Sequence, residues 1–481
     1  MVASPTSHPT LAPSFRSMPP KLMKSFTLRT LLIVTFAVAF AACDFFDPEP
    51  VTDPNSPSSE AVLSGATKSQ LQNLVTGVEF RHRDAPPDVT ELFGSFGREV
   101  YAAFASDPRF VTNWLGQEAT PDAEFFADGS AYDEPYEAIK QGNFLIEAVS
   151  NTDAVTEQER SGYLGFAKTI QAYQYLIPLN GQFRGPDRNP PGSIRFDVTD
   201  PLAPGPFLSY DDALQRIRDL LDEAYDELGN AGSDFDFTLS SGFEGFDTPT
   251  GMRELNRAIA ARAAIYAEDW DGALTALDNS FLDLTAGEES MNTGAYHVFG
   301  APPDQFNPLF YPRNANTNQI LMVHPSMIED TLAGDLRVDR KFFRRDEPVT
   351  NGDLPGVELF YQDNRYASND SPIPFLRNEE LVLIYAEAQV QSTSGDLNEA
   401  ERAINIVRSS WELPDYDGDT NESALIDEIL YQRRYSLWAE GGHRWVDARR
   451  YDRLDEIPTD LDGGQVFTSL ERPLSEVNAG Q

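Results

Sequence analysis

The side chains best placed to do chemistry in this sequence are aromatic residues with a polar neighbour nearby in the chain. Trp114 follows Asn113 and lies shortly after Arg109, and Tyr311 lies just before Arg313. A ring face can stack on the C–H face of a sugar while an amide or guanidinium binds its hydroxyls, so each group joins a platform to a hydrogen-bonding partner. The stretch 81–130 around Trp114 also holds Phe93, Phe96, Tyr101, Phe104, Phe110, Phe125 and Phe126. The competing reading for each of them is a satellite core under a long loop. Phe310, Tyr361 and Tyr366 join Tyr311 as exposed-aromatic candidates in a second irregular stretch.

Other chemistries find less support. There is no nucleophile elbow, phosphate loop or zinc-binding helix motif. His8, His82, His297, His324 and His443 are scattered without metal-ligand spacing. Acids are so abundant that no pair of carboxylates stands out as a hydrolytic couple. The run Asp415, Asp417, Asp419, Asn421 and Glu422 alternates oxygen ligands as a calcium loop does. Its Gly418 is misplaced for an EF-hand, which favours an acidic solvated loop. The expectation is therefore a protein with no catalytic residues, no metal and no cofactor.

The formal net charge is −40 over 481 residues, and lysine is confined to Lys21, Lys24, Lys68, Lys140, Lys168 and Lys341. Such a surface repels itself unless salt screens it, which points to a high-salt, halophilic setting. With no basic stripe, nucleic acid is excluded as a partner. The only cysteine, Cys43, rules out an intrachain disulfide. Lys24 and Arg29 precede an apolar run, Leu31–Ala42, that ends directly at Cys43. A basic start, a short apolar core and small residues make a secretory signal. The cysteine after them marks a lipoprotein signal, with Cys43 as the lipidated first residue of the mature chain. Residues 1–42 are thus the signal region, most compact if it starts at Met23, and 43–58, rich in Pro, Asp and Ser, form a flexible tether.

The elements that must position the aromatic groups are mostly helices. Leu71, Leu74, Val75 and Val78 fall on one face of a helix expected over 59–80. Tyr132, Tyr136, Ile139, Asn143 and Ile146 make another, and Tyr163, Phe166, Ile170, Tyr173 and Ile177 make its partner, which Pro178 should end. Residues 180–208 read as loop. Ser209 can cap a helix whose face is Leu214, Ile217, Leu221, Ala224 and Leu228. Leu255, Ile259, Ala263 and Tyr266, then Trp270, Ala273, Leu274 and Leu277, give two more helices of tetratricopeptide type, with Trp270 read as core. The repeat is irregular, however, and residues 281–372 form a large insertion with weak strand signals such as Gln319–Val323. After it, three amphipathic faces follow between Leu381 and Leu437. Arg433 lies on the last buried stripe, and Glu387 and Glu440 are the carboxylates offered to it.

The closing stretch resembles the SusD/RagB family of outer-membrane nutrient-binding lipoproteins. Four ordered blocks carry the likeness: Arg377, Glu380, Leu383, Ala386, Glu387 and Ala388; Ala400, Ile404, Asn405, Val407 and Arg408; Arg433, Arg434, Leu437, Glu440 and Gly441; and His443, Arg444, Trp445, Asp447 and Arg450. Asp335-Leu336-Arg337 is similar to a short D-x-R element of the family. Ser436 stands where the family usually has glutamate, and Gly442 is one glycine more than usual. The resemblance implies a mainly α, SusD-like fold: tetratricopeptide-like helix pairs in a single domain over 59–481. It also implies a lipid-anchored, surface-exposed place at the outer membrane, glycan or other nutrient binding, and a SusC-like TonB-dependent transporter as partner. The signature residues look structural in the family. The alternative is a helical-repeat envelope scaffold that binds peptide segments of other proteins in its concave face.

Overall fold

The computed structural model describes residues 59–117, 126–184, 191–196, 204–316 and 319–479. Cys43, the signal region and the tether lie outside the described residues, as does Phe125. Helices start where side chains can meet the N–H groups that a helix leaves open: Thr67, Thr156, Ser209, Thr248, Asp269, Asp396 and Asn421 each accept a backbone N–H at a helix start.

The N-terminal part holds α1 (Ser59–Gly65), α2 (Lys68–His82), α3 (Ala85–Phe96), strand β1 (Val100–Ala102) and α4 (Arg109–Thr112). The long helices α5 (Phe126–Ser150), α6 (Glu157–Gln182), α7 (Tyr210–Asn230), α8 (Pro249–Tyr266) and α9 (Trp270–Leu277) follow. An irregular part then carries α10 (Glu288–Asn292), β2 (Gly294–His297), β3 (Leu321–Val323), α11 (Ser326–Glu329), α12 (Leu336–Lys341), β4 (Phe342–Val349), β5 (Leu359–Asp363) and β6 (Ile373–Arg377). The last helices are α13 (Asn378–Gln391), α14 (Leu397–Ser410), α15 (Glu422–Ser436), α16 (His443–Arg450) and α17 (Leu474–Asn478).

These helices form one continuous row. α2 packs on α5, α5 on α6, α6 on α7, α7 on α8, and α8 on α9; α9 then meets α13, which packs on α14 and α15, and α15 meets α16. The insertion between α9 and α13 is looped out without breaking the row. Its strands close against an N-terminal one: β1, β3, β5 and β4 form an antiparallel sheet in that order, and β2 pairs with β6.

Several expectations need correction. The helix expected over 59–80 is two helices, because Thr67 and Gln70 form a capping box that restarts the chain at Lys68. In the stretch after it, Pro86 and Pro87 sit in the first turn of α3, where a missing N–H costs nothing. Pro178 does not end α6, which runs on to Gln182. Leu179 and Gln182 are buried in that last turn, and their packing outweighs the roughly 3 kcal/mol that an interior proline costs.

Arg433 is also paired differently. Its Nε donates to Asp447 Oδ2 at 2.6 Å, not to Glu387 or Glu440. Asp447 Oδ1 accepts from Arg450 at 2.9 Å, and Arg450 reaches Glu387, which also accepts from the Tyr451 hydroxyl at 2.7 Å. Glu440 is taken by Arg377 at 2.8 Å. Arg262 of α8 forks onto Glu380 of α13 with both contacts at 2.6 Å, and His443 Nε2 lies 3.7 Å from the same carboxylate. The extra glycine has a reason here. Gly442 has φ +74° at the start of α16, and a Cβ on it would lie 2.2 Å from Phe93 Cβ.

Burial alone would raise the Glu380 carboxyl, but the Arg262 guanidinium outweighs it and holds the group at about 2 against an ordinary 4.5. A carboxylate whose value is lowered by folding stabilises the fold above its ordinary value and loses that contribution as pH falls toward the lowered one. Glu380→Gln leaves Arg262 buried without its charge partner, and is expected to cost about 3–5 kcal/mol in denaturant unfolding near neutral pH. The gap between wild type and variant should narrow as pH is lowered from 4.5 toward 2.

Candidate ligand-binding surface

The antiparallel sheet brings together the two aromatic groups that lie far apart in sequence. Tyr101 stands opposite Met322, Met322 opposite Gln362, and Gln362 opposite Phe343. Val111 and Leu115, which flank the first group, pack with Tyr101, Ile320, Met322, Leu354 and Leu359. Tyr311 partly covers the same cluster.

The two groups differ in what they expose. Trp114 is fully buried in the main core, edge-on to Phe110 at 4.8 Å, so its ring offers no face to a ligand. It is a packing residue, not a platform. Asn113 is half-buried, and its side-chain oxygen accepts from the Thr112 hydroxyl at 3.1 Å. Arg109 forks onto Asp107 at 3.1 and 2.8 Å. That hydrogen-bonded pairing holds the Asp107 carboxyl below the usual range. The other aromatics of this stretch, Phe93, Phe96, Tyr101, Phe104 and Phe110, are buried as well. Nothing is described of the Phe126 side chain.

Tyr311 and Arg313 sit on a loop laid over the β4–β5 hairpin. Tyr311 is half-buried, and burial raises its hydroxyl above the ordinary range. Arg313 is exposed; its Nε donates to Asn364 Oδ1 at 2.9 Å and its guanidinium lies 4.9 Å from the centre of the Phe343 ring. Asn314 takes φ +56°, exchanging hydrogen bonds with Asp346 at 2.8 and 3.0 Å. Beneath the loop, Gln362 Oε1 accepts from Arg345 at 2.6 Å and from the Asn314 backbone at 3.1 Å, while its amide reaches the Pro312 carbonyl at 3.2 Å. Gln362 and Arg345 are buried. They fix the loop, and sequence reading missed them because a lone Gln and Arg in a strand carry no signal. Arg344 lies 5.0 Å from the Phe360 ring on the same hairpin.

Among the other insertion aromatics, Tyr361 and Phe310 are half-buried, whereas Tyr366 is buried and covered by Arg365 at 4.9 Å. Phe306, which the sequence reading passed over, is 44% exposed. The acidic run at 415–422 is an exposed loop that leads into α15, with Asn421 as cap and the Tyr416 hydroxyl donating to the Asp419 carbonyl at 3.2 Å. Among the described residues no three acids or histidines come together as metal ligands.

The SusD family model matches residues 359–480. No curated protein matches the chain. Solved structures do match: a SusD superfamily protein from Bacteroides vulgatus is 14% identical with a TM-score of 0.60, covering 81% of this chain and 89% of that one. The fold is that of the SusD family, and the C-terminal segment carries its sequence signature. NanU of B. fragilis is 15% identical with a TM-score of 0.59, covering 89% of this chain and 98% of that one. Surface glycan-binding protein A from Bacteroides thetaiotaomicron, solved with laminarihexaose, is 15% identical with a TM-score of 0.63, covering 86% and 98%. On this SusD fold the signature residues of α13, α15 and α16 belong to the buried ion-pair network and not to the Tyr311–Arg313 surface.

The division between packing and surface residues has a direct check. Trp114→Ala should lower unfolding stability by about 3–5 kcal/mol, the usual cost of emptying a large aromatic site. Arg313→Ala, whose side chain is exposed, should change it by no more than about 0.5 kcal/mol. Thermal and denaturant melts of the two variants decide this.

Proposed function

We propose that the protein is a cell-surface receptor for a glycan or similar nutrient, held at the outer membrane by lipid on Cys43, without catalytic activity of its own. The loop bearing Tyr311, Arg313 and Asn314 carries this reading. It sets half-buried rings beside guanidinium and amide groups on a support fixed by Gln362 and Arg345. Rings present C–H-binding faces, and the polar groups around them bind hydroxyls. Both act on a ligand at equilibrium, so the chemistry is capture and release.

The glycan-bound relative of the same fold supports this reading. The lipoprotein signal ending at Cys43 supports the anchor. Among the described residues no helix is long and apolar enough to cross a membrane. In such an arrangement the captured ligand passes to a SusC-like TonB-dependent transporter, with the receptor lying over it as a lid. The excess of acid over base suits this work to concentrated salt, where charge repulsion is screened within about 3 Å at 1 M.

The test is calorimetry of the mature protein, from Asp44 onward, with laminarin and other soluble polysaccharides in molar salt, alongside an assay for released reducing ends. Binding without released sugar is expected, weakened about tenfold in Arg313→Ala, equivalent to roughly 1.4 kcal/mol. Release of sugar, or no binding to any glycan, overturns the reading.

A further inference from the structure

A cleft of about 740 Å³, lined by neither Tyr311 nor Arg313, lies between α11, α15, α16 and the segment 453–461. Its volume is that of a small-molecule site. Arg434, Arg444 and His324 line it, with acids around them.

Arg444, half-buried, differs from three buried arginines of this chain. Arg98, Arg262 and Arg337 each fork onto a carboxylate, respectively Asp462, Glu380 and Asp335. The Arg444 guanidinium donates to the Arg98 carbonyl at 2.9 Å, and among the described residues no carboxylate pairs with it. Burial, then the nearby charge of Arg434, pushes it down to about 9. Glu99 and Asp330 oppose this shift from a distance, so the guanidinium has acids nearby but no carboxylate in contact.

Two more residues that line the cleft carry a buried donor atom without a hydrogen-bond partner. Arg434 binds Asp330 and the Ser326 hydroxyl, each at 2.8 Å, yet its buried Nε has no partner. His324 is 1% exposed, and its Nδ1 accepts the Ser326 backbone N–H at 3.2 Å. A backbone amide can only donate, so the ring proton sits on Nε2, and Nε2 also has no partner. Burial and the arginines hold the ring neutral, so Nε2–H remains a donor. Three donor groups thus line one cleft, and two of them hold a buried N–H that meets no acceptor.

We propose that this cleft binds a single oxyanion group, such as the carboxylate of an acidic sugar, against Arg444, with Arg434 and His324 as further donors. A planar carboxylate matches a guanidinium fork. The lining also limits the choice. Asp427 is engaged by Arg453 at 2.6 Å, but Glu329, Glu456 and Asp460 are exposed around the opening and repel a second negative charge. The site thus favours a monoanion over polyanions.

D-glucuronate and D-glucose, titrated separately into the mature protein in 1 M salt, test this. Glucuronate should bind and raise the melting temperature, while glucose at the same concentration should do neither. Arg444→Gln should weaken glucuronate at least tenfold. Because Arg444 also donates to the backbone, Asp460→Asn gives a second test at an exposed position: it should tighten glucuronate two- to fivefold. Equal binding of both sugars, no binding of glucuronate, or unchanged affinity in both variants overturns the proposal. Competition by acetate assigns the site to a bare carboxylate, and its failure assigns it to a sugar-borne one. Laminarin titrated into Arg444→Gln reads the glycan surface separately, so failure of this site and failure of that surface are distinguishable.

Discussion

Everything in this molecule hangs on arginines buried against carboxylates. Arg262 and Glu380 join α8 to α13, and Arg433 and Asp447 join α15 to α16. Arg450 then ties α16 back to Glu387 of α13. Two charges taken out of water repay their desolvation only when geometry is good and every remaining polar position is used. Guanidinium forks meet this demand better than ammonium groups. Such pairs therefore contribute more to register than to net stability: a helix that slides by one residue strands a charge. This is how helices with short, irregular connections keep one arrangement while the chain between α9 and α13 is free to build a surface.

The same constraint bears on the departure at Ser436 and on a buried lysine. Ser436 replaces the usual glutamate, yet the D-x-R element is still satisfied. Asp335 takes the Nε and one terminal nitrogen of Arg337, and the Ser436 hydroxyl accepts from the other at 2.8 Å. Lys341, a buried lysine, donates to the Tyr435 and Ser436 carbonyls at the end of α15, where helix carbonyls carry partial negative charge. Burial pushes it down to about 8. The acidic surface and the buried ion pairs thus divide the acids: most face salt water, while Asp335, Glu380 and Asp447 enter the core against arginines.

Much of the helical row was legible in the sequence, because its signals are local. The apolar faces around Leu214–Leu228 and Leu255–Tyr266 emerge as helices, and Ser209 caps α7 as read, accepting from Asp212 at 3.0 Å. What was illegible depends on partners distant in sequence. Aromatic density around Trp114 cannot separate a platform from a core, since both need large rings; only its packing in the main core decides it. Arg433 showed that it needed a carboxylate but not which one. Pro178 was read as a helix end because tertiary packing is invisible in a single residue type. Of the two candidate groups, Tyr311–Arg313 reaches the surface, and the side chains that hold its loop, Gln362 and Arg345, gave no warning.

The claim at the centre of this account is that a rigid helical frame presents a separate capture surface on its insertion. Hydrogen–deuterium exchange of the mature protein, with and without a glycan that binds it, tests this most directly. The account predicts protection confined to the loop around 310–316 and to β4 and β5, with the amides of α5–α9 and α13–α16 unchanged. Protection concentrated instead along the helical row, with the insertion unaffected, would contradict it and place recognition in the repeats.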